Sequence, residues 1–124
     1  MFEGCVLNLV DGALRGFNAT VLAYGQTGSG KTFTMGSGLD CELYDNQVGI
    51  IPRAVHHIFS EIEKNESHFS IAVQFIELYN EEIIDLLDPY NKKKSYKIQE
   101  NEFGQISVAG AGIKAVSDSQ EVLR

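Results

Sequence analysis

Three glycines, a lysine and a threonine within one octet are the residues of this chain whose types and spacing could do chemistry. Gly25-Gln26-Thr27-Gly28-Ser29-Gly30-Lys31-Thr32 fits G-x-x-x-x-G-K-S/T, the spacing of a phosphate-binding loop. Glycines at 25, 28 and 30 let the backbone turn tightly and aim its N–H groups inward, since no Cβ blocks the approach of phosphate oxygens. A helix opening at Lys31 would add unpaired N–H donors and the positive end of its dipole. Lys31 would reach the β- and γ-phosphates as a cation, and the Thr32 hydroxyl would ligate Mg²⁺. The competing reading is a glycine-rich turn that happens to carry Lys-Thr. At an ordinary glycine usage of about 7%, the full pattern arises by chance in well under ~1% of chains this long.

The elements around the octet are those such a loop needs. Val21-Leu22-Ala23-Tyr24 reads as a short buried strand leading into it. Before that strand, residues 5–17 place Val6, Leu7, Val10, Ala13, Leu14 and Phe17 on one helical stripe, with Gly16 and Asn18 as stop signals. Helix, strand, loop, helix is the βα order of α/β nucleotide-binding folds. The helix after Lys31 breaks at Gly36-Ser37-Gly38, and an exposed loop is expected through Gly49. Helical spacing resumes at Ile51, Ala54, Val55, Ile58, Phe59 and Ile62, with Pro52 tolerated in the first turn and an end near Asn65.

Residues 69–79 alternate with both sides largely apolar, which predicts an interior strand. Residues 80–87 then read as two helical turns ended by Asp88-Pro89, with Glu81, Glu82 and Asp85 favouring the helix start and facing solvent. Residues 96–100 and 105–108 flank Asn101-Glu102-Phe103-Gly104 as a hairpin. Ala109-Gly110-Ala111-Gly112 reads as an irregular connector, and Ser117-Asp118-Ser119-Gln120 as a capping box opening another helix.

Bulk properties narrow the partners. The chain has 124 residues and a formal net charge of −7, too acidic for nucleic acid held over a broad surface. No run of eighteen apolar residues and no secretory leader is present, so no membrane association is expected. Cys5 and Cys41 make neither a disulfide framework nor a metal-ligand spacing. Adjacent His56 and His57 point in two directions on a helix, against a shared metal. Asn18-Ala19-Thr20 and Asn65-Glu66-Ser67 are formal glycosylation sequons read as coincidence. The only dense basic run, Lys92-Lys93-Lys94 with Lys97 nearby, is either a solvated loop or a contact with an acidic surface.

A nucleotide cradle alone does not hydrolyse; it also needs an aspartate for Mg²⁺ and a group that positions water. Ile83-Ile84-Asp85 is a weak candidate for the first, and no D-x-x-G or Ser-Ser-Arg segment occurs. The missing residues are expected in flanking sequence, and the stop within a helix at Arg124 reads as the end of a fragment.

The run from Phe17 to Thr32 resembles the phosphate-loop region of kinesin motor domains. Gly49-Ile50-Ile51-Pro52-Arg53-Ala54 and residues 75–87 (Phe75-Ile76-Glu77-Leu78-Tyr79-Asn80-Glu81-Glu82-Ile83-Ile84-Asp85-Leu86-Leu87) resemble two further kinesin blocks in order. The wording is closest to the kinesin-4 branch. The resemblance implies an α/β P-loop NTPase fold over residues 1–124, a partial motor domain whose central mixed sheet is flanked by helices and carries a small β-hairpin lobe. It implies ATP and Mg²⁺ at Gly25 to Thr32, with Lys31 and Thr32 as the catalytic residues and Phe33 beside the adenine or else in the core. It implies microtubules as partner, hydrolysis-driven movement, and a cytoplasmic, cytoskeletal location. Residues 36–49 match a variable loop of the family, and residues 96–108 match a hairpin lobe that touches tubulin there, just after the lysines at 92–94. The first strand, both switch loops, the main microtubule-binding helices and the neck linker have no counterpart in these residues. Residues 1–124 alone are therefore expected to be unstable or to aggregate, and not to hydrolyse ATP. The alternatives are a degenerate, non-hydrolysing kinesin that acts as a microtubule-binding module, and a piece of another P-loop NTPase.

Overall fold

The computed structural model describes residues 2–36, 48–65, 68–88, 90 and 95–123. Most of the expected loop at 36–49, with Cys41, lies outside the described residues, as do Glu66, Ser67, Pro89, the lysines at 92–94, Met1 and Arg124. The chain divides into two compact units, Met1–Phe69 with Asp118–Arg124, and Ser70–Ser117.

In the first unit a π-helical turn, Phe2–Val6, runs into α1 (Leu7–Leu14), so the helical segment begins three residues earlier than its periodicity suggested. The buried stripe is also narrower than expected: Val6 and Val10 are buried, while Ala13 and Leu14 stay exposed. α1 stops where Gly16 was expected to stop it. The Gly16 N–H donates to Ala13 O at 2.9 Å and the Phe17 N–H to Gly12 O at 3.1 Å, which closes two of the helix's last carbonyls. α2 is Lys31–Met35, and α3 is Ile50–Lys64 with Asn65 as its C-cap. Pro52 sits in the first turn of α3, where its missing N–H costs nothing. Gly36 and Gly49 lie backbone against backbone, so the two ends of the interruption between α2 and α3 meet.

Val6, Val10 and Ile50 form the buried cluster, with Phe2, Val21, Met35, Ala54 and Ile58 packed on it. Each fully buried aliphatic side chain there contributes roughly 1.5–3 kcal/mol. A 2.7 Å contact between Asp11 Oδ1 and His57 Nε2 ties α1 to α3. The Phe59 and Phe69 rings meet edge to face, with centroids 6.1 Å apart. α4 (Ser119–Leu123) opens as expected, but one residue later than the expected cap. The Asp118 carboxylate accepts the Glu121 N–H at 2.8 Å.

Val21–Tyr24 is not a buried strand. The stretch carries no regular secondary structure and its exposure alternates, with Val21 on the core while Leu22 and Tyr24 are 84% and 95% exposed. No strand among the described residues pairs with it, and a strand's N–H and C=O groups need such a partner to register as sheet.

The second unit is three antiparallel pairs. β1 (Ile71–Val73) pairs with β6 (Lys114–Val116), β2 (Ile76–Tyr79) with β3 (Glu82–Asp85), and β4 (Lys97–Glu100) with β5 (Ile106–Ala109). The expected hairpin at 96–108 is therefore present, closed by Asn101, whose Oδ1 accepts the N–H groups of Phe103 and Gln105. Two expectations fail. Residues 69–79 are not one interior strand, because β6 claims the first half and β3 the second, and every residue of β2 is exposed. Residues 80–87 are not a helix. The register Tyr79↔Glu82 leaves Asn80-Glu81 as a two-residue turn with φ 49° and 64°, both positive as a type I′ hairpin requires. Two helical turns cannot sustain themselves, and β-branched Ile83-Ile84 favour the strand. The expected central mixed sheet is not assembled among the described residues, whose strands form three separate two-stranded sheets.

Candidate phosphate-binding site

The octet follows a stretch without regular secondary structure and ends in α2, the helix its motif requires. Gly25, Gly28 and Gly30 have φ of 156°, 81° and 89°, and Gln26 to Gly30 are exposed. A Cβ built on Gly25 would come within 2.5 Å of Ser29 Oγ, and at this positive φ a side chain is strained, so glycine suits the position. The Ser29 N–H donates to Gln26 O at 3.2 Å, which makes the tip a tight turn.

Lys31 is the one half-buried residue of the last three in the motif. Its Nζ donates to Gly25 O at 2.5 Å and to Gln26 O at 2.7 Å, so the ammonium crosses the loop and holds its two ends together. That places a fixed positive charge among backbone groups at the loop mouth, the arrangement that attracts a polyanion. The Thr34 N–H donates to Gly30 O at 2.9 Å and starts α2, with the Thr32 side chain exposed on its first turn. At five residues α2 is barely more than a turn, too short to contribute a long helix dipole.

These features fit a phosphate chain: a loop whose first residue favours glycine, exposed backbone, and one pinned cation. For Mg²⁺ the chain offers the Thr32 hydroxyl, and no group of three His, Cys, Asp or Glu able to hold a metal occurs among the described residues. Asp85, the weak candidate for a metal carboxylate, does not face solvent as expected: it is 2% exposed and spends its oxygens on backbone amides of the second unit. Glu81 and Glu82 are exposed on the β2–β3 hairpin, and so face solvent as expected though not from a helix.

Phe33 is 63% exposed, which removes the core alternative. It lines a cleft of about 360 Å³ together with Phe2, Glu3, Thr34, Ile50 and Arg53 among others. Arg53 Nε donates to Val48 O at 3.0 Å across one wall of that cleft. Sequence reasoning missed this cavity. Its lining comes from three separate segments, and no spacing within one of them reveals it. No helix among the described residues is long and apolar enough to cross a membrane.

Comparison with known proteins adds an independent line. The family model described as "Kinesin motor domain" matches residues 1–124. The chain is 39% identical over 136 residues to the kinesin-like protein KIF21A of Homo sapiens, covering 97% of this chain and 8% of that protein. To the kinesin-like protein KIN-4A of Gossypium hirsutum it is 50% identical over 112 residues, 89% of this chain and 10% of the relative. To KIN-4A of Arabidopsis thaliana it is 42% identical over 143 residues, 98% of this chain and 14% of the relative. The chain thus spans a small part of the length of the relatives it matches.

Proposed function

Since this chain belongs to the kinesin motor-domain family, we propose that it is the nucleotide-holding part of an ATP-driven microtubule motor. The observation that carries the reading is the loop itself, with positive-φ glycines at 25, 28 and 30 and the Lys31 ammonium drawn across its mouth. In this reading the loop from Gly25 to Gly30 (Gly25, Gln26, Thr27, Gly28, Ser29, Gly30) wraps the phosphates of ATP with the backbone N–H groups that its own turn leaves free, and Phe33 offers its exposed ring to the adenine. Lys31 carries charge to the β- and γ-phosphates, and its two carbonyl contacts fix that charge before ligand arrives, so little reorganisation is needed. The Thr32 hydroxyl supplies one ligand to Mg²⁺, which when bound neutralises charge on the phosphate oxygens.

Positioning of water and sensing of the γ-phosphate fall to sequence outside these 124 residues, so the chain by itself turns over no ATP. Hydrolysis resets that sequence, and the resulting change in affinity for the microtubule produces movement on the cytoplasmic cytoskeleton. The β4–β5 hairpin is this chain's contact to tubulin. The intact loop speaks against a degenerate, non-hydrolysing kinesin.

The test is ATP turnover, with and without microtubules, by a motor polypeptide that contains residues 1–124. Turnover should rise on adding microtubules, and Lys31→Ala should lower the stimulated rate by about 10²-fold or more. Unstimulated turnover in the parent, or full turnover in the variant, would overturn the assignment.

A further inference from the structure

The second unit contains a buried carboxylate that the proposed nucleotide chemistry does not use. Asp85, the last residue of β3, is 2% exposed. Its Oδ1 accepts the Leu87 N–H at 2.9 Å and its Oδ2 accepts the Gly112 N–H at 2.6 Å. The first bond is local. The second reaches across 27 residues, to the segment that leaves the β4–β5 hairpin after Ala109.

The other leg of the same hairpin comes to the same place. Tyr96 immediately precedes β4, its hydroxyl oxygen is buried, and the negative charges of Asp85 and Asp88 act on it. One root of the hairpin is thus bonded to the Asp85 carboxylate, and the other lies within reach of its charge. Space there is closed, because a Cβ on Gly112 would lie 3.1 Å from Asp85 Oδ2. The body of the hairpin is otherwise exposed, with Ile98, Ile106 and Phe103 at 66%, 73% and 80%. With so little packing along its length, its direction is set at its base.

We propose that Asp85 is a positioning residue that fixes the angle at which the β4–β5 lobe is presented to the microtubule. The proposal rests on the reading of that lobe as a tubulin contact. A carboxylate does this better than an amide, since both oxygens accept from N–H donors and a buried charge makes each bond stronger.

The experiment compares three changes in the motor polypeptide: Asp85→Asn, Gly112→Ala, and replacement of residues 98–108 by a short Gly-Ser linker. Asp85→Asn keeps the shape but sets an NH₂ group against one N–H donor. The expected result is a rise of roughly threefold or more in the microtubule concentration for half-maximal ATP turnover, with basal turnover and the saturated rate unchanged. Amide exchange at Gly112 should speed up by about tenfold in the same variant. Gly112→Ala, which presses on the same contact from the other side, should give the same split, and it carries the test if Asp85→Asn does not fold. Unchanged half-saturation in a folded Asp85→Asn protein, while the linker replacement raises it, overturns the role of Asp85 and leaves the motor reading standing. Unchanged half-saturation in the linker replacement overturns the tubulin contact itself, and the proposal with it.

Discussion

The phosphate loop and the Asp85 anchor use the same chemical group in opposite ways. At the anchor two backbone N–H groups hold an anion, and in the proposed reading the loop's N–H groups do the same for a phosphate. At the anchor the protein supplies the anion itself, buries it, and satisfies it with the amides of Leu87 and Gly112. At the loop the residues from Gln26 to Gly30 stay exposed, and the charged side chain provided is a cation, Lys31. The difference teaches how one interaction becomes either structure or site. Amides that meet a buried internal anion hold a fold, while exposed amides around a positive charge are free, in the proposed reading, to take an anion from solution.

That contrast can be broken from either end. The largest effect on the fold is expected at the anchor. Asp85→Ala strands two half-buried N–H donors and should destabilise the second unit by about 1–3 kcal/mol, read as a lowered midpoint in denaturant titration. The loop should respond in affinity instead. Gly25→Ala brings a Cβ against Ser29 and should weaken Mg-ATP binding by at least about tenfold, with the denaturation midpoint nearly unmoved. A large loss of stability in the loop variant, or none in the anchor variant, would erase the distinction.

The smallest effect concerns Tyr96. Burial first, then the negative charges of Asp85 and Asp88, raise its hydroxyl pKa above the ordinary 10.0. The folded protein therefore keeps that proton at pH values where the unfolded chain has begun to lose it. The stabilisation is present in full below pH 10 and is lost as pH rises through the raised value. Denaturation midpoints should thus fall more steeply above pH 10 in the parent than in Tyr96→Phe. Equal slopes would remove Tyr96 from the surroundings of the anchor.

The two regions also differ in how far their sequences announced them. The loop was legible because its chemistry is local: glycines, lysine and threonine at fixed spacing dictate the backbone they need. The C-terminal closure of α1 at Gly16, the ends of α3, and the Asn101 hairpin were legible for the same reason. The β2–β3 hairpin was not. Asn80-Glu81 is a weak turn signal without glycine, and the apolar pairs Ile83-Ile84 and Leu86-Leu87 fit a helical face as well as a strand. What decides between them is pairing with β2, from Ile76↔Asp85 to Tyr79↔Glu82, which the pattern within 80–87 does not contain. β6 escaped notice because three residues after a glycine-rich connector become a strand only through β1. The stretch at 21–24 failed in the reverse sense. Its composition is that of a buried strand, and the residues described here include no partner to make it one.

The central claim is that the amides of the octet and one ammonium group hold a triphosphate. Titration calorimetry of Mg-ATP into the motor polypeptide containing residues 1–124, beside its Lys31→Ala variant, addresses that most directly. The account predicts saturable one-to-one uptake by the parent and a loss of at least about tenfold in affinity in the variant. No heat of binding in the folded parent, or equal affinity in both proteins, would contradict it.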